Sequence, residues 1–156
     1  MTVGESASHG GRGNKSAWFA GFFLLSALGY YGGHFAWGFV VNALPDSAFY
    51  GQFDALLETA NLGVWLLTSV VLGLVVLYAV RRLSAPSNAW LVIAVTQGLV
   101  AIVALPFYAG VGGPVLIWLF DYLRGPLASA LLLSLGAYLG ARVGSARASY
   151  RTSAST

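Results

Sequence analysis

Two stretches of this sequence, residues 60–80 and 89–109, contain no charged side chain. As a helix, each is long enough to cross the hydrocarbon core of a bilayer, for which about 20 residues suffice. A charged group at the centre of such a helix costs about 2.5 to 3.5 kcal/mol in insertion assays, so charge-free runs of this length are typical of membrane spans. We therefore predict transmembrane helices over 60–81 and 89–110.

The composition of the whole chain agrees with this prediction. Hydrophobic residues make up 58% and charged residues only 8% of the 156 positions, whereas soluble globular proteins carry about 25% charged residues. A length of this size corresponds to one domain. The sequence thus predicts one all-α integral membrane domain and excludes the class of water-soluble proteins.

Two further spans are predicted from apolar runs that are less uniform. The first covers 18–42 and is longer than the apolar segment of a cleaved signal peptide, which has about 7–15 residues, so we expect it to be retained. The last covers 114–143 and includes Asp121, Arg124 and Pro126. We interpret it as one helix kinked at Pro126. The alternative is a short interfacial helix followed by a span that begins near residue 122.

These four spans define a four-helix transmembrane domain over residues 17–143, between two tails at 1–16 and 144–156. Both tails are small and polar in composition and bury too little apolar area to offset the entropy of ordering, so we expect them to be disordered. Positive charge marks the cytoplasmic side of a membrane protein. Four spans place seven basic residues on one side, which predicts a multi-pass cell-membrane protein with both termini cytoplasmic: Arg12, Lys15, Arg81, Arg82, Arg142, Arg147 and Arg151.

Aromatic residues near the predicted span ends are typical of the belts that lie at the two membrane interfaces. Trp18 and Trp90 lie at the predicted inner ends. A larger set lies at or near the predicted outer ends: Trp37, Trp65, Phe107, Tyr108 and Trp118.

A spacing of 61 residues separates two pairs of residues near the helix ends. Pro45 and Pro106 each follow an Ala-Leu pair, and Arg81 and Arg142 end the second and fourth spans. This spacing indicates two helical hairpins in the same orientation, which would form a parallel internal repeat. Ordinary hairpin ends are the alternative interpretation.

Small residues indicate where the helices approach one another, because helix association in lipid depends on close backbone contact. Gly29 and Gly33 lie in the first span, Gly98 in the third, and Gly136 and Gly140 in the fourth. We expect these glycines to pack against helices of the same chain. The alternatives are self-association and contact with another membrane subunit.

Two polar residues within the spans are candidates for a functional role. His34 is the only histidine in a predicted span, and Gln97 lies in the middle of the third. An imidazole could ligate a haem iron or transfer protons. For both residues the structural interpretation is a hydrogen bond to a neighbouring helix or, at the outer end, to water.

Four charged residues near the predicted outer end are the remaining candidates. Asp54 and Glu58 are four apart and would share one face of a helix. Their functional interpretation is a mouth that attracts cations, and the alternative is a solvated helix face. Asp121 and Arg124 are spaced to pair at i,i+3, and we expect them near the lipid headgroups.

The sequence offers little that would carry out covalent chemistry. It contains no cysteine, no nucleotide-binding loop, no HExxH motif and no serine nucleophile elbow. We therefore predict no catalytic residue, no metal site, no bound cofactor and no nucleic-acid partner. No carboxylate lies at the centre of a span, which disfavours a proton-coupled exporter.

The interpretation that the residues favour is a non-catalytic accessory or anchoring subunit of a membrane complex. Its partners would be the lipid bilayer and either other membrane subunits or further copies of itself. One alternative is an oligomeric transporter or channel for a small solute or ion. Another is an electron-transfer subunit whose cofactor is held by His34.

Overall fold

A computed structural model describes residues 10–43, 54–110 and 114–153. The described residues form helices and no strand, which confirms the predicted all-α class. The elements in chain order are α1 (Gly10–Ala43), α2 (Asp54–Arg82), α3 (Trp90–Gly110), α4 (Val115–Tyr122), a π-helical turn (Leu123–Leu127) and α5 (Ala128–Ser153).

Three helical segments among the described residues are long and apolar enough to cross a membrane, namely Leu57–Arg82, Trp90–Gly110 and Val115–Ala146. They correspond to the second, third and fourth predicted spans and indicate a multi-pass membrane protein. Helix α1 is 34 residues long but is not among them. Its glycines, its tyrosines and His34 lower its mean hydropathy, so its crossing of the membrane stays a prediction.

The helices extend beyond the predicted spans. Helix α1 begins at Gly10 and α5 ends at Ser153, so both helices continue past the predicted span ends into residues 10–16 and 144–153. Once a helix exists, each added residue contributes a hydrogen bond without a new nucleation cost, so it can continue into polar sequence. The rest of the two predicted tails, residues 1–9 and 154–156, lies outside the described residues.

The fourth span continues through Pro126, in agreement with the first of the two interpretations of residues 114–143. The five residues Leu123–Leu127 form a π turn, and Tyr122 and Ala128 on either side keep right-handed helical dihedral angles. Proline lacks an N–H and its ring displaces the carbonyl four residues earlier. A wider π turn accommodates this ring without ending the helix.

The core lies where α5 packs against α2 and α3, and α1 packs against α2 and α3 from the side. Helix α5 makes its most extensive contact with α2. The side chains at the centre of these contacts are at most 3% exposed: Leu72, Val76, Ile93, Leu133 and Ala137.

Helices α2 and α5 pack backbone against backbone at three glycines. A Cβ atom on Gly73 would lie 2.7 Å from the carbonyl oxygen of Gly136. A Cβ on Gly140 would overlap the carbonyl of Gly73, and one on Gly136 would overlap Ser69. The Ser69 hydroxyl donates a hydrogen bond of 2.5 Å to the carbonyl of Leu132. The small-residue face predicted at Gly136 and Gly140 therefore meets a helix of the same chain.

The other predicted packing glycines differ in how much space a side chain would have at each of them. Gly33 lies against the indole of Trp65, which leaves no room for a side chain there. At Gly29 a Cβ would make an ordinary contact of 3.6 Å with Leu72. The expected contact of Gly98 with a helix of the same chain is a correction, because among the described residues no atom of another element lies within 4 Å of its Cβ position. The buried side of α3 is formed instead by Ile93, Gln97 and Ala101.

Candidate functional site

Two adjoining cavities lie at the end of the molecule where α1 ends, α2 begins and the π turn is located. Trp37, Asn61 and Trp65 line both of them. We call the larger one the outer cavity and the smaller one the inner cavity.

The outer cavity has a volume of about 670 Å³ and lies between α2 on one side and α4, the π turn and α5 on the other. Glu58 of α2 and Arg124 of the π turn line it together with apolar side chains such as Phe120 and Leu132. Two of the predicted candidate residues therefore share this cavity.

The inner cavity has a volume of about 200 Å³ and is formed where all the long helices meet the π turn. Helix α1 contributes His34, and α5 contributes Ser129. Four aromatic residues from α1, α2 and α3 form much of the remaining wall: Tyr30, Trp37, Trp65 and Tyr108.

The aromatic rings on the α1 side pack edge to face. The imidazole of His34 lies 4.5 Å from the ring centroid of Tyr30 and 5.2 Å from that of Trp65, at interplanar angles of 74° and 88°. Trp65 is only 4% exposed, so its assignment to the outer membrane interface is corrected: it packs in the core and lines the cavities. Gly33 makes this position available, because a larger residue would occupy the space of the indole.

Arg124 is held between two carboxylates at the outer cavity. Its guanidinium contacts Glu58 of α2 and, at 2.7 Å, Asp121 of α4. The predicted i,i+3 pair is thus present, and Glu58 joins it through a contact that the sequence did not indicate. All three side chains are between 40% and 51% exposed, so they lie at the surface of the bundle rather than in its core.

The other two candidates on described helices are Asp54 and Gln97. Asp54 is the first residue of α2, and its side chain lies outside the described residues. Gln97 is buried on α3, where its Nε2 donates to the carbonyl oxygen of Ser26 at 3.1 Å and to its hydroxyl at 3.0 Å. These bonds join α3 to α1, in agreement with the structural interpretation. The Oε1 of Gln97 has no partner among the described residues.

Sequence reasoning missed most of the cavity wall. Tyr30 and Asn61 were not singled out for this role, and Trp37, Trp65 and Tyr108 were assigned to the membrane interface. The only signal was the density of aromatic residues near one end of several spans. An aromatic residue that faces lipid and one that faces a cavity have the same position in the hydrophobic pattern.

This arrangement is suited to binding a small molecule. Cavities between helices that are lined by aromatic side chains and a few polar groups are the usual form of small-molecule sites. Within the described part of the chain, no group of three His, Asp or Glu side chains could hold a metal ion. Comparison with protein-family models, with curated proteins and with solved structures gave no significant match, so the function is inferred from this geometry.

Proposed function

We propose that this protein is a transporter for a small solute, with four membrane-spanning helices and both termini in the cytoplasm. The observation that carries the proposal is the pair of adjoining cavities, whose walls include Glu58 and Arg124 at one end and His34 and Ser129 further along. Sites of this kind, formed between helices of a bundle, bind small molecules in many proteins.

Both cavities lie toward one end of the described helices. The core residues of the other half are tightly packed, and Phe22, Val76 and Ile93 are at most 2% exposed. Alternating access requires a site that is accessible from one side while it is closed on the other. A channel would need a continuous path, and the buried side chains beyond the cavities support a transporter over a channel.

The exposed surface of α1 supports a crossing of the membrane by this helix, which would bring the number of spans to four, although its mean hydropathy is lower. It packs against α2 and α3, and several of its large apolar side chains are between 44% and 78% exposed: Phe19, Phe23, Leu28, Phe35 and Phe39. Contiguous apolar surface of this kind is rare in contact with water and is suited to lipid. A crossing by α1 also brings Arg12 and Lys15 to the same side as Arg81 and Arg82.

The accessory-subunit interpretation drew part of its support from the small-residue faces, for which another membrane subunit was the alternative partner. Gly136 and Gly140 contact α2 of the same chain, so they no longer point to a second protein. We therefore place solute transport before the accessory role. The parallel internal repeat and self-association stay predictions that neither function requires.

Solute counterflow into proteoliposomes tests the proposal. The purified full chain is reconstituted and loaded in turn with unlabelled amines, amino acids, sugars and carboxylates, and the uptake of each labelled solute is measured. We expect concentrative uptake of at least one solute. The same substitution at two positions of α3 provides a control: Ala104→Trp fills the inner cavity, whereas Ala109 is exposed and does not line it.

We expect Ala104→Trp to abolish uptake and Ala109→Trp to retain it. Thermal unfolding in detergent should show that both variants are folded. Absence of uptake for every solute, or uptake by Ala104→Trp at the original rate, would contradict the proposal. A stoichiometric partner protein in mild detergent, without uptake, would favour the accessory role. An absorption band of haem that is lost in His34→Ala would favour electron transfer.

A further inference from the structure

The charged residues of this protein are divided between its two ends. Seven of the eight Lys and Arg residues lie at the end away from the cavities, and Arg124 is the exception. At the cavity end, Asp54, Glu58 and Asp121 lie on the described helices. These three carboxylates and the guanidinium of Arg124 give the described part of this end a formal charge of −2.

A charge of this sign raises the local concentration of cations, because a field summed over several groups acts beyond individual contacts. The effect is strongest where low-dielectric walls surround the opening, as the apolar helices do here. Cationic solutes are therefore favoured at the entrance over neutral or anionic ones.

The guanidinium of Arg124 does not reverse this preference. It contacts the carboxylates of both Glu58 and Asp121, and it lies 5.3 Å from the ring centroid of Phe120. One positive and two negative groups leave a net charge of −1 on this cluster. An entering cation can take the place of Arg124 beside Glu58, which lines the outer cavity.

The aromatic lining of the inner cavity is suited to a cation that has lost part of its hydration shell. Tyr30, Trp37, Trp65 and Tyr108 line it, and none of its described lining residues is Lys or Arg. The face of an aromatic ring carries negative potential and attracts ammonium groups, most strongly where water is excluded. At about 30 Å³ for a water-sized group, a volume of about 200 Å³ accommodates roughly seven non-hydrogen atoms.

We infer that the inner cavity binds a small organic cation, a quaternary ammonium or protonated amine, against the faces of Trp37 and its aromatic neighbours, with Glu58 at the entrance. This inference rests on the proposed function, since it names the class of solute that the transporter recognises. The aromatic walls supply the attraction for the charge, and the small volume restricts the size of the ligand.

Isothermal titration calorimetry on the full chain in mild detergent tests the inference with three probes of similar shape. Choline is cationic, 3,3-dimethylbutan-1-ol is neutral, and 3,3-dimethylbutanoate is anionic. We expect choline to bind about tenfold or more tightly than the alcohol, because several aromatic faces contribute to cation binding, and we expect no binding of the carboxylate. Binding of the alcohol or the carboxylate as tight as that of choline overturns the inference.

That outcome would still leave a solute site in the cavity, so the proposed function would stand. If none of the three probes binds, the class of ligand is wrong, and uptake of any other solute by proteoliposomes would keep the proposed function. Failure of uptake for all solutes is the separate result that removes the proposed function.

Two matched pairs of variants locate the site. Trp37→Leu is expected to weaken choline binding about fivefold, the loss typical of one cation–π contact, without weakening that of the alcohol. Trp90→Leu, at the other end of the molecule, should leave choline binding unchanged. Equal binding of choline to the original chain and to Trp37→Leu overturns the assignment to this cavity.

The second pair consists of Glu58→Gln and Asp121→Asn, each of which removes one negative charge from the ion-pair cluster around Arg124. Glu58 lines the outer cavity, whereas Asp121 is not among its lining residues. We expect Glu58→Gln to weaken choline binding about fivefold, because it removes the carboxylate that lines the entrance to the site, and Asp121→Asn to weaken it less than twofold. The reverse order, or no effect of Glu58→Gln, overturns the role given to Glu58.

Discussion

The indole of Trp65 on α2 occupies the space in which a side chain at Gly33 of α1 would lie. This contact brings the two helices together and at the same time places Trp65 in the wall of both cavities. Packing and the candidate site therefore depend on the same glycine, and a change at residue 33 is expected to affect both.

Gly33→Ala is expected to lower the free energy of unfolding by about 1 to 3 kcal/mol, the usual cost of inserting a methyl group into a packed contact. It should also change the fluorescence emission of Trp65 in a chain whose other tryptophans are replaced by phenylalanine. Gly32→Ala is the control, because within the described part of the chain no atom of another helix lies within 4 Å of its Cβ position. Equal stability of the two variants, measured by unfolding in mixed micelles, would contradict the Gly33–Trp65 contact.

The contact between α2 and α5 predicts a second pair of glycines at which substitution by alanine has different effects on stability. Gly140→Ala would overlap the carbonyl of Gly73, and backbone atoms cannot move aside as a flexible side chain can. We expect a loss of about 1 to 3 kcal/mol. Gly98→Ala has open space and should be neutral or stabilising by up to about 1 kcal/mol, through helix propensity. A larger loss at Gly98 than at Gly140 would restore the packing role first predicted for Gly98.

The pairing of Glu58 with Arg124 can be tested by cross-linking, because the chain contains no cysteine. A double variant Glu58→Cys and Arg124→Cys should form an intramolecular cross-link with a short bis-maleimide in membranes. Glu58→Cys with Arg142→Cys is the control, since 18 further residues of helix separate residue 142 from residue 124 by roughly 27 Å at 1.5 Å per residue. Cross-linking of the control pair alone would show that α5 runs in the opposite direction beside α2.

The proposed orientation predicts which positions a membrane-impermeant maleimide reaches from outside the cell. Asn42→Cys, near the end of α1, should be labelled in intact cells. Ser16→Cys and Ser87→Cys should be labelled only after the membrane is permeabilised. All three positions have exposed side chains, so burial in the protein does not explain protection. Labelling of Ser16→Cys and Asn42→Cys from the same side would show that α1 does not cross.

The hydrogen bonds between Gln97 and Ser26 predict that substitutions at these two residues have non-additive effects on stability. Gln97→Leu alone is expected to cost about 1 kcal/mol, because a buried polar group on Ser26 loses its partner. Adding Ser26→Ala should cost nothing further or restore stability, since removal of both partners leaves no polar side chain unpaired. Additive losses in the double variant, measured by unfolding in mixed micelles, would contradict a direct contact.

Local features of the sequence were enough to predict the helices. The stretches 60–80 and 89–109 form α2 and α3 because a charge-free run of this length has few alternatives once it enters a membrane. The pairing of Asp121 with Arg124 also follows from local geometry, since residues three apart on a helix are neighbours. The continuation of the helix through Pro126 was the favoured of two interpretations, and the π turn that permits it was not foreseen.

The tertiary structure alone decided which faces of these helices meet. Several faces carry small residues, and only the fold shows that Gly73 meets Gly140 while the Cβ position of Gly98 has no atom of another described helix within 4 Å. The fold also shows that Trp65 lines a cavity, whereas other aromatic residues lie on the surface. The physical reason is that lipid and the protein interior are both apolar. Hydrophobicity therefore places a side chain within the membrane but does not determine whether it faces lipid, another helix or a ligand.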